Sequence, residues 1–138
     1  MIKEVEVVQL NKQNDDRGWL LKIIMREQMA GDAPFGEFYV TSIEPGAVRG
    51  QHYHNHCTEW FCVLTGQAKL VLVDLATGER QVIAMGDDSM LRVKIPPMIA
   101  HGIQNVGKEL LYLLVYADQP YDYNRPDAVP MPLQFDAL

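Results

Sequence analysis

About ten short apolar runs, rich in valine, isoleucine, leucine and aromatic residues, follow one another along the chain, and each is soon cut off by a turn signal. Residues 5–10, 19–25, 37–43, 59–64, 67–73, 79–84, 91–95, 101–104 and 108–116 read as strands, and Glu44-Pro45-Gly46 turns into a further one carrying two histidines. Turns are signalled by Asn14-Asp15-Asp16-Arg17-Gly18 and by Asp74-Leu75-Ala76-Thr77-Gly78, and residues 29–36 read as a loop around Gly31, Pro34 and Gly36. A helical period is missing beyond one turn within residues 26–30, so an α/β fold is excluded. Regularly spaced short strands predict an all-β closed barrel or jelly roll. The tail from Asp118 holds Pro120, Pro126, Pro130 and Pro132, which cannot continue a central strand. It is expected to wrap over the barrel mouth or a partner subunit.

The 138 residues suffice for one core and predict a single domain over 1–138. The formal net charge of −6, with no basic run to offset it, argues against nucleic acid as a partner. It leaves room for a phosphorylated small molecule, because a few arginines suffice to bind phosphate on an acidic protein. No apolar run is long enough to cross a bilayer, and Met1-Ile2-Lys3-Glu4-Val5-Glu6 is too charged for a signal peptide, so a cytoplasmic protein without membrane contact is expected. Cys57 and Cys62 are too few for a disulfide framework. Cys57 is placed either beside a metal or, like Cys62, as an ordinary reduced thiol.

The stretch from Gly46 to Gly66 contains His52, His54 and Glu59, and the only histidine outside it is His101. Residues i and i+2 of a strand point to one face, so His52 and His54 project side by side. Glu59 follows after a short turn, at the head of the apolar run Trp60-Phe61-Cys62-Val63-Leu64, and His101 arrives from a later strand. Three imidazoles and a carboxylate suit a divalent metal, whether zinc, iron, manganese, nickel or cobalt, with coordination positions left for water or substrate.

The spacing Gly-x5-His-x-His-x4-Glu-x6-Gly resembles the first motif of the cupin superfamily at every fixed position. The second motif is matched by Pro96, His101 and Asn105, but Met98 stands where that family usually has glycine, and Gly86 lies farther upstream than usual. The resemblance implies a double-stranded β-helix, the cupin jelly-roll barrel.

Within the cupins, Asp16-Arg17-Gly18, Arg49-Gly50-Gln51-His52-Tyr53, and Tyr116 followed by Tyr121-Asp122 resemble the dTDP-4-dehydrorhamnose 3,5-epimerases and related ketoisomerases. The similarity is closer to the C-terminal cupin domain of the bifunctional capsular polysaccharide synthesis proteins. It runs through Arg49 to His54, Thr58-Glu59, Thr77-Gly78-Glu79, Ile95-Pro96-Pro97, His101, Asn105-Val106-Gly107 and Pro126-Asp127. These resemblances imply an epimerase or isomerase acting on a nucleotide-linked 4-keto-sugar. They imply His52 as general base, Tyr116 as the acid on the opposite face, and Arg17 and Arg49 as grips for the diphosphate. For the arginines the alternative is a solvated turn or a structural ion pair, and for Tyr116 a packing aromatic. The rhamnose-pathway enzymes carry glutamine and lysine where this chain has His54 and Glu59, and need no metal. The capsular branch binds zinc. A ligating His52 cannot also be a free base, so both roles stay open from the sequence. A metal-dependent oxygenase and a non-catalytic small-molecule-binding module also remain as functions. Cupins of this type commonly pair through edge strands, which implies a homodimer using the strand that starts at Val5.

Overall fold

The computed structural model describes residues 1–28 and 35–135. Twelve strands are found among the described residues: β1 (Glu6–Gln9), β2 (Gln13–Asp15), β3 (Gly18–Leu20), β4 (Glu37–Ile43), β5 (Val48–His54), β6 (Glu59–Thr65), β7 (Gln67–Asp74), β8 (Arg80–Gly86), β9 (Leu91–Ile95), β10 (Ile99–Asn105), β11 (Leu111–Ala117) and β12 (Ala128–Pro130). They form two five-stranded antiparallel sheets, ordered β1-β9-β6-β11-β4 and β12-β5-β10-β7-β8, with β2 and β3 as a separate hairpin. This is the all-β jelly roll of the cupins.

Alternation along each strand decides what lies between the sheets. Phe61 and Val63 on β6, Leu111, Leu113 and Val115 on β11, Leu70 and Leu72 on β7, and Ile99 and Ile103 on β10 meet in one buried cluster. Each such side chain contributes roughly 1.5–3 kcal/mol on leaving water. All seven residues of β10 are buried, although a strand in an antiparallel sheet commonly shows one wet face. Its outer face is covered by the C-terminal tail: Phe135 stacks where a Cβ on Gly102 would lie, 3.1 Å away. The tail is tied down by N–H donation from Met131 to the Gln51 carbonyl at 2.7 Å and from Leu133 to Gln51 Oε1 at 3.0 Å. Edge strand β12 tolerates Pro130 because the missing donor breaks no ladder on its open side.

The segment 19–25 departs from the strand expected of it. Only Gly18–Leu20 pairs, in the β2–β3 hairpin. Leu21 and Ile23 instead pack on the outer face of the first sheet, against Cys62, Met90 and Leu114. Arg92 holds this segment by donating from Nη1 to the Ile23 carbonyl at 2.9 Å. An apolar run of period two buries one face equally well by lying across a sheet as by joining it, so the pattern alone does not distinguish the two. A single 3-10 turn spans Arg26–Gln28, and the loop expected over 29–36 falls largely outside the described residues.

Met98 explains its own departure from the motif. It sits in the β9–β10 turn with φ of 67°, in the left-handed region that favours glycine, and its N–H donates to the His54 carbonyl at 2.8 Å. Left-handed backbone costs a residue with a side chain roughly 1–2 kcal/mol, and glycine loses roughly 0.5–1 kcal/mol in unfolded-state entropy. Met98 is 44% exposed, so only part of its side chain is packed. Met98→Gly is therefore expected to raise unfolding free energy by about 0.5–1 kcal/mol in urea titration. A loss of stability would show that its packing outweighs the backbone strain.

Candidate metal centre

β5 presents His52 and His54 on one face, and the presentation depends on a bulge. Arg49 pairs with Ile103 and Gly50 with Gly102, yet the next partner of His101 is His52, which leaves Gln51 as an extra residue. A regular strand would set Gln51 inward opposite His101 and turn both histidines outward. The bulge is built from two left-handed residues, Gly50 with φ of 89° and Gln51 with φ of 57°. A side chain on Gly50 would meet the His101 carbonyl oxygen at 3.1 Å, so the backbones approach too closely for anything larger.

Glu59 opens β6 and brings its carboxylate to the two facing strands. His101 Nε2 stands 3.0 Å from Glu59 Oε1, and His54 Nε2 stands 3.1 Å from the same oxygen. The His52 ring packs edge-on to those of both His54 and His101, at 4.9 Å between centroids in each case. Tyr39 on β4 donates its hydroxyl to Glu59 Oε2 at 3.2 Å. Donor atoms of His52, His54, Glu59 and His101 all lie within 4.8 Å of one another. That span is close to the ~4.2 Å between ligand atoms on opposite sides of an ion with bonds of about 2.1 Å.

The residues fit a cation on chemical grounds as well. His101 Nδ1 lies 3.0 Å from the Ile99 carbonyl, which only accepts, so the ring carries its proton there. The other ring nitrogen, Nε2, is the one that faces the carboxylate oxygen. Neither ring nitrogen of His54, both buried, makes a well-formed hydrogen bond. Unpartnered buried nitrogens are costly in themselves and become ligands around a divalent ion.

The charge states suit that role. Burial would raise the Glu59 carboxyl, but His101 and His54 outweigh it and hold the group far below the usual range, ionised. Burial and the neighbouring His101 and His54 push His52 down to about 4, so its imidazole is neutral. Burial, then the Glu59 charge, drives the Tyr39 hydroxyl well above its ordinary value, so it keeps its proton. Burial also pushes the Cys57 and Cys62 thiols up, to about 12 and about 11. Cys57 is not among the donors that converge on one point.

A cleft of about 210 Å³ opens over this cluster, its lining including Tyr39, His54, Glu59, Tyr121, Arg125 and Asp127. The structure thus gathers His52, His54, Glu59 and His101, and it places the other expected site residues elsewhere. Inward positions on β11 are Leu111, Leu113 and Val115, so Tyr116 is turned to the opposite face of the sheet from Glu59. There it packs on Trp60 and Phe35, its hydroxyl accepts the Gly36 N–H at 3.1 Å, and with Leu21, Ile23 and Phe38 it lines an apolar hollow. Strand parity thus sets the Tyr116 hydroxyl, expected to act as the acid, on the opposite face of the sheet from Glu59. Arg17 sits in the β2–β3 turn, with guanidinium and backbone N–H both bonded to the Asp15 carboxylate. Arg49 donates Nε–H to the Ser42 carbonyl at 2.9 Å, bridging β5 to β4. Tyr39 and Arg125 escaped the sequence reading. Tyr39 had a signal, since it lies in period two with inward-facing Ile43, whereas Arg125 sits in a proline-broken tail that has no period.

Comparison with known proteins agrees with this architecture. The pattern defining the polysaccharide biosynthesis C-terminal domain matches residues 13–129. The spore coat polysaccharide biosynthesis protein SpsL of Bacillus subtilis (strain 168) is 30% identical over 137 residues, covering 96% of this chain and 90% of SpsL. Among solved structures, a dTDP sugar isomerase from Desulfovibrio desulfuricans G20 superposes with a TM-score of 0.84 at 20% identity, over 94% of this chain and 85% of the isomerase. The capsular polysaccharide assembling protein CapF from Staphylococcus aureus superposes with a TM-score of 0.70 at 24% identity, over 90% of this chain and 34% of CapF. With a cupin barrel, a family pattern over most of its length and a full-length relative in SpsL, this chain belongs to the polysaccharide biosynthesis C-terminal domain family.

Proposed function

We propose that the protein holds a divalent cation (zinc, iron, manganese, nickel or cobalt) through His52, His54, Glu59 and His101, and that it is an epimerase or isomerase of a nucleotide-linked 4-keto-sugar in polysaccharide biosynthesis. The observation that carries this reading is the convergence of four donor atoms, two of them on residues that line a cleft, in a chain of a polysaccharide-biosynthesis family. The likeness to a dTDP sugar isomerase points the substrate class toward nucleotide sugars. When bound, the cation supplies Lewis-acid polarisation of a ketone oxygen, which acidifies the neighbouring C–H bonds.

The chain's own residues supply the rest. Tyr39 keeps its proton and offers a hydrogen-bond donor at the cleft floor. Tyr121, half exposed on the cleft lining, takes the place of Tyr116 as the second tyrosine within reach of a bound sugar. Arg125 is the guanidinium on that lining and is suited to a phosphate oxygen, whereas Arg17 and Arg49 are engaged with Asp15 and Ser42. His52 commits a nitrogen to the cation and is counted as ligand, not as free base. A homodimer through the open edge of β1, in the cytoplasm, completes the reading. No helix among the described residues is long and apolar enough to cross a membrane.

The test is solvent exchange. Metal-loaded protein in D2O, mixed with dTDP- and UDP-linked 4-keto-6-deoxyhexoses, is expected to bring deuterium to sugar carbon 3 or 5 at least tenfold faster than buffer, followed by proton NMR. Silence across that panel at full metal occupancy would sink the isomerase reading. Oxygen consumption by the iron-loaded protein would replace it with an oxygenase.

A further inference from the structure

We propose that Asp127 is a positioning residue that orients the His54 imidazole through Nδ1, so that Nε2 faces the cation. The inference rests on the metal-holding half of the proposed function and deepens it. A histidine that ligates through Nε2 carries its hydrogen on Nδ1, and a buried N–H needs an acceptor to set the ring's angle and raise its basicity. His101 has the Ile99 carbonyl for this purpose. On His54 the group at that place is Asp127, whose Oδ2 lies 3.4 Å from Nδ1, with both side chains largely shielded from water at 15% and 25% exposure.

The rest of the fold holds the carboxylate there. Asp127 immediately precedes β12, whose register sets Ala128 opposite His54 and Pro130 opposite His52. Its oxygens accept the His56 N–H at 3.1 Å, and Oδ2 accepts the Cys57 N–H at 2.9 Å. One carboxylate thus fastens the short turn that separates His54 from the next ligand, Glu59, and from there stands beside the ring of His54. Burial would raise its proton affinity, but those two N–H donors outweigh it and keep the group ionised.

The test compares Asp127→Asn and Asp127→Ala with the wild type. Zinc affinity is measured by competition with a chromophoric chelator, and the His54 tautomer in zinc-free protein by long-range 15N–1H spectra. Asparagine keeps an acceptor for the His56 and Cys57 amides but removes the charge. It is expected to weaken zinc binding about tenfold, and alanine up to about 100-fold. Both variants should shift His54 away from the Nδ1–H form. Asparagine behaving like wild type in affinity and tautomer, with only alanine impaired, would reduce Asp127 to a loop anchor and overturn the proposal. Should the wild type bind no divalent metal at all, the proposed function fails in its metal half. The tautomer of His54 in Asp127→Asn then decides the positioning role by itself: unchanged, it refutes that role, and shifted, it upholds it.

Discussion

Glu59→Gln is expected to lower zinc affinity by more than about 100-fold, beyond the loss typical of groups that merely support a ligand. The substitution keeps the shape of the side chain, so the inner face of β6 has no new volume to accommodate. It removes the anionic oxygen shared at 3.0 and 3.1 Å by His101 and His54, and with it the charge that makes three imidazoles a divalent site. Glu59 is 4% exposed, and a water entering from the cleft would be an uncharged and weaker ligand in its place. In the zinc-free protein the amide still meets the Tyr39 hydroxyl, so the apo fold should lose only about 1–3 kcal/mol, the cost of an imperfectly satisfied buried polar group. The wild type at a thousandfold excess of zinc over its dissociation constant gains about 4 kcal/mol that the variant does not. Elemental analysis and thermal melts with and without chelator read both effects. Equal zinc content in Glu59→Gln and wild type would remove Glu59 from the ligand set.

Leu72→Ala is expected to cost about 2–5 kcal/mol of unfolding free energy. Leu72 is 0% exposed in the centre of β7 and is the cross-strand partner of His101. Truncation opens a cavity between the sheets that Leu70 and Ile103, both in regular ladder positions, cannot collapse to fill. The loss should appear as a lower urea midpoint with an unchanged slope. Zinc affinity is expected to change far less than in Glu59→Gln, because the Nδ1 contact to Ile99 and the pairing with His52 hold His101 from the other side. A variant as stable as wild type would mean that the barrel repacks around this position. A loss of zinc binding equal to that of Glu59→Gln would mean that packing, not the hydrogen bond, sets the His101 ring.

The barrel itself was open to reading from the residues, since period-two burial between turn signals is a local pattern. Leu91–Ile95 and Glu37–Ile43 run over the expected residues, and the largest discrepancy is 19–25, where a suitable pattern packs across the sheet without pairing. The four ligands were nameable for a similar reason. His52 and His54 are linked by strand spacing, and Glu59 and His101 by a motif that tolerates one left-handed methionine.

Inner and outer faces, by contrast, were settled by long-range pairing. Spacing along β5 puts His52 and His54 on one side without saying which. Only the bulge at Gly50-Gln51, imposed by register against β10, turns that side inward. Tyr116 was drawn toward the site by its neighbours in the chain, and its parity against Leu113 and Val115 sends it out. The tail shows the same division: its prolines announce that it leaves the barrel core, yet the arrival of Asp127 at His54 depends on β12 docking beside β5. Residue order carries period and chemistry, because both are properties of near neighbours. Which face closes on which belongs to contacts between segments dozens of residues apart, whose energies no short window contains.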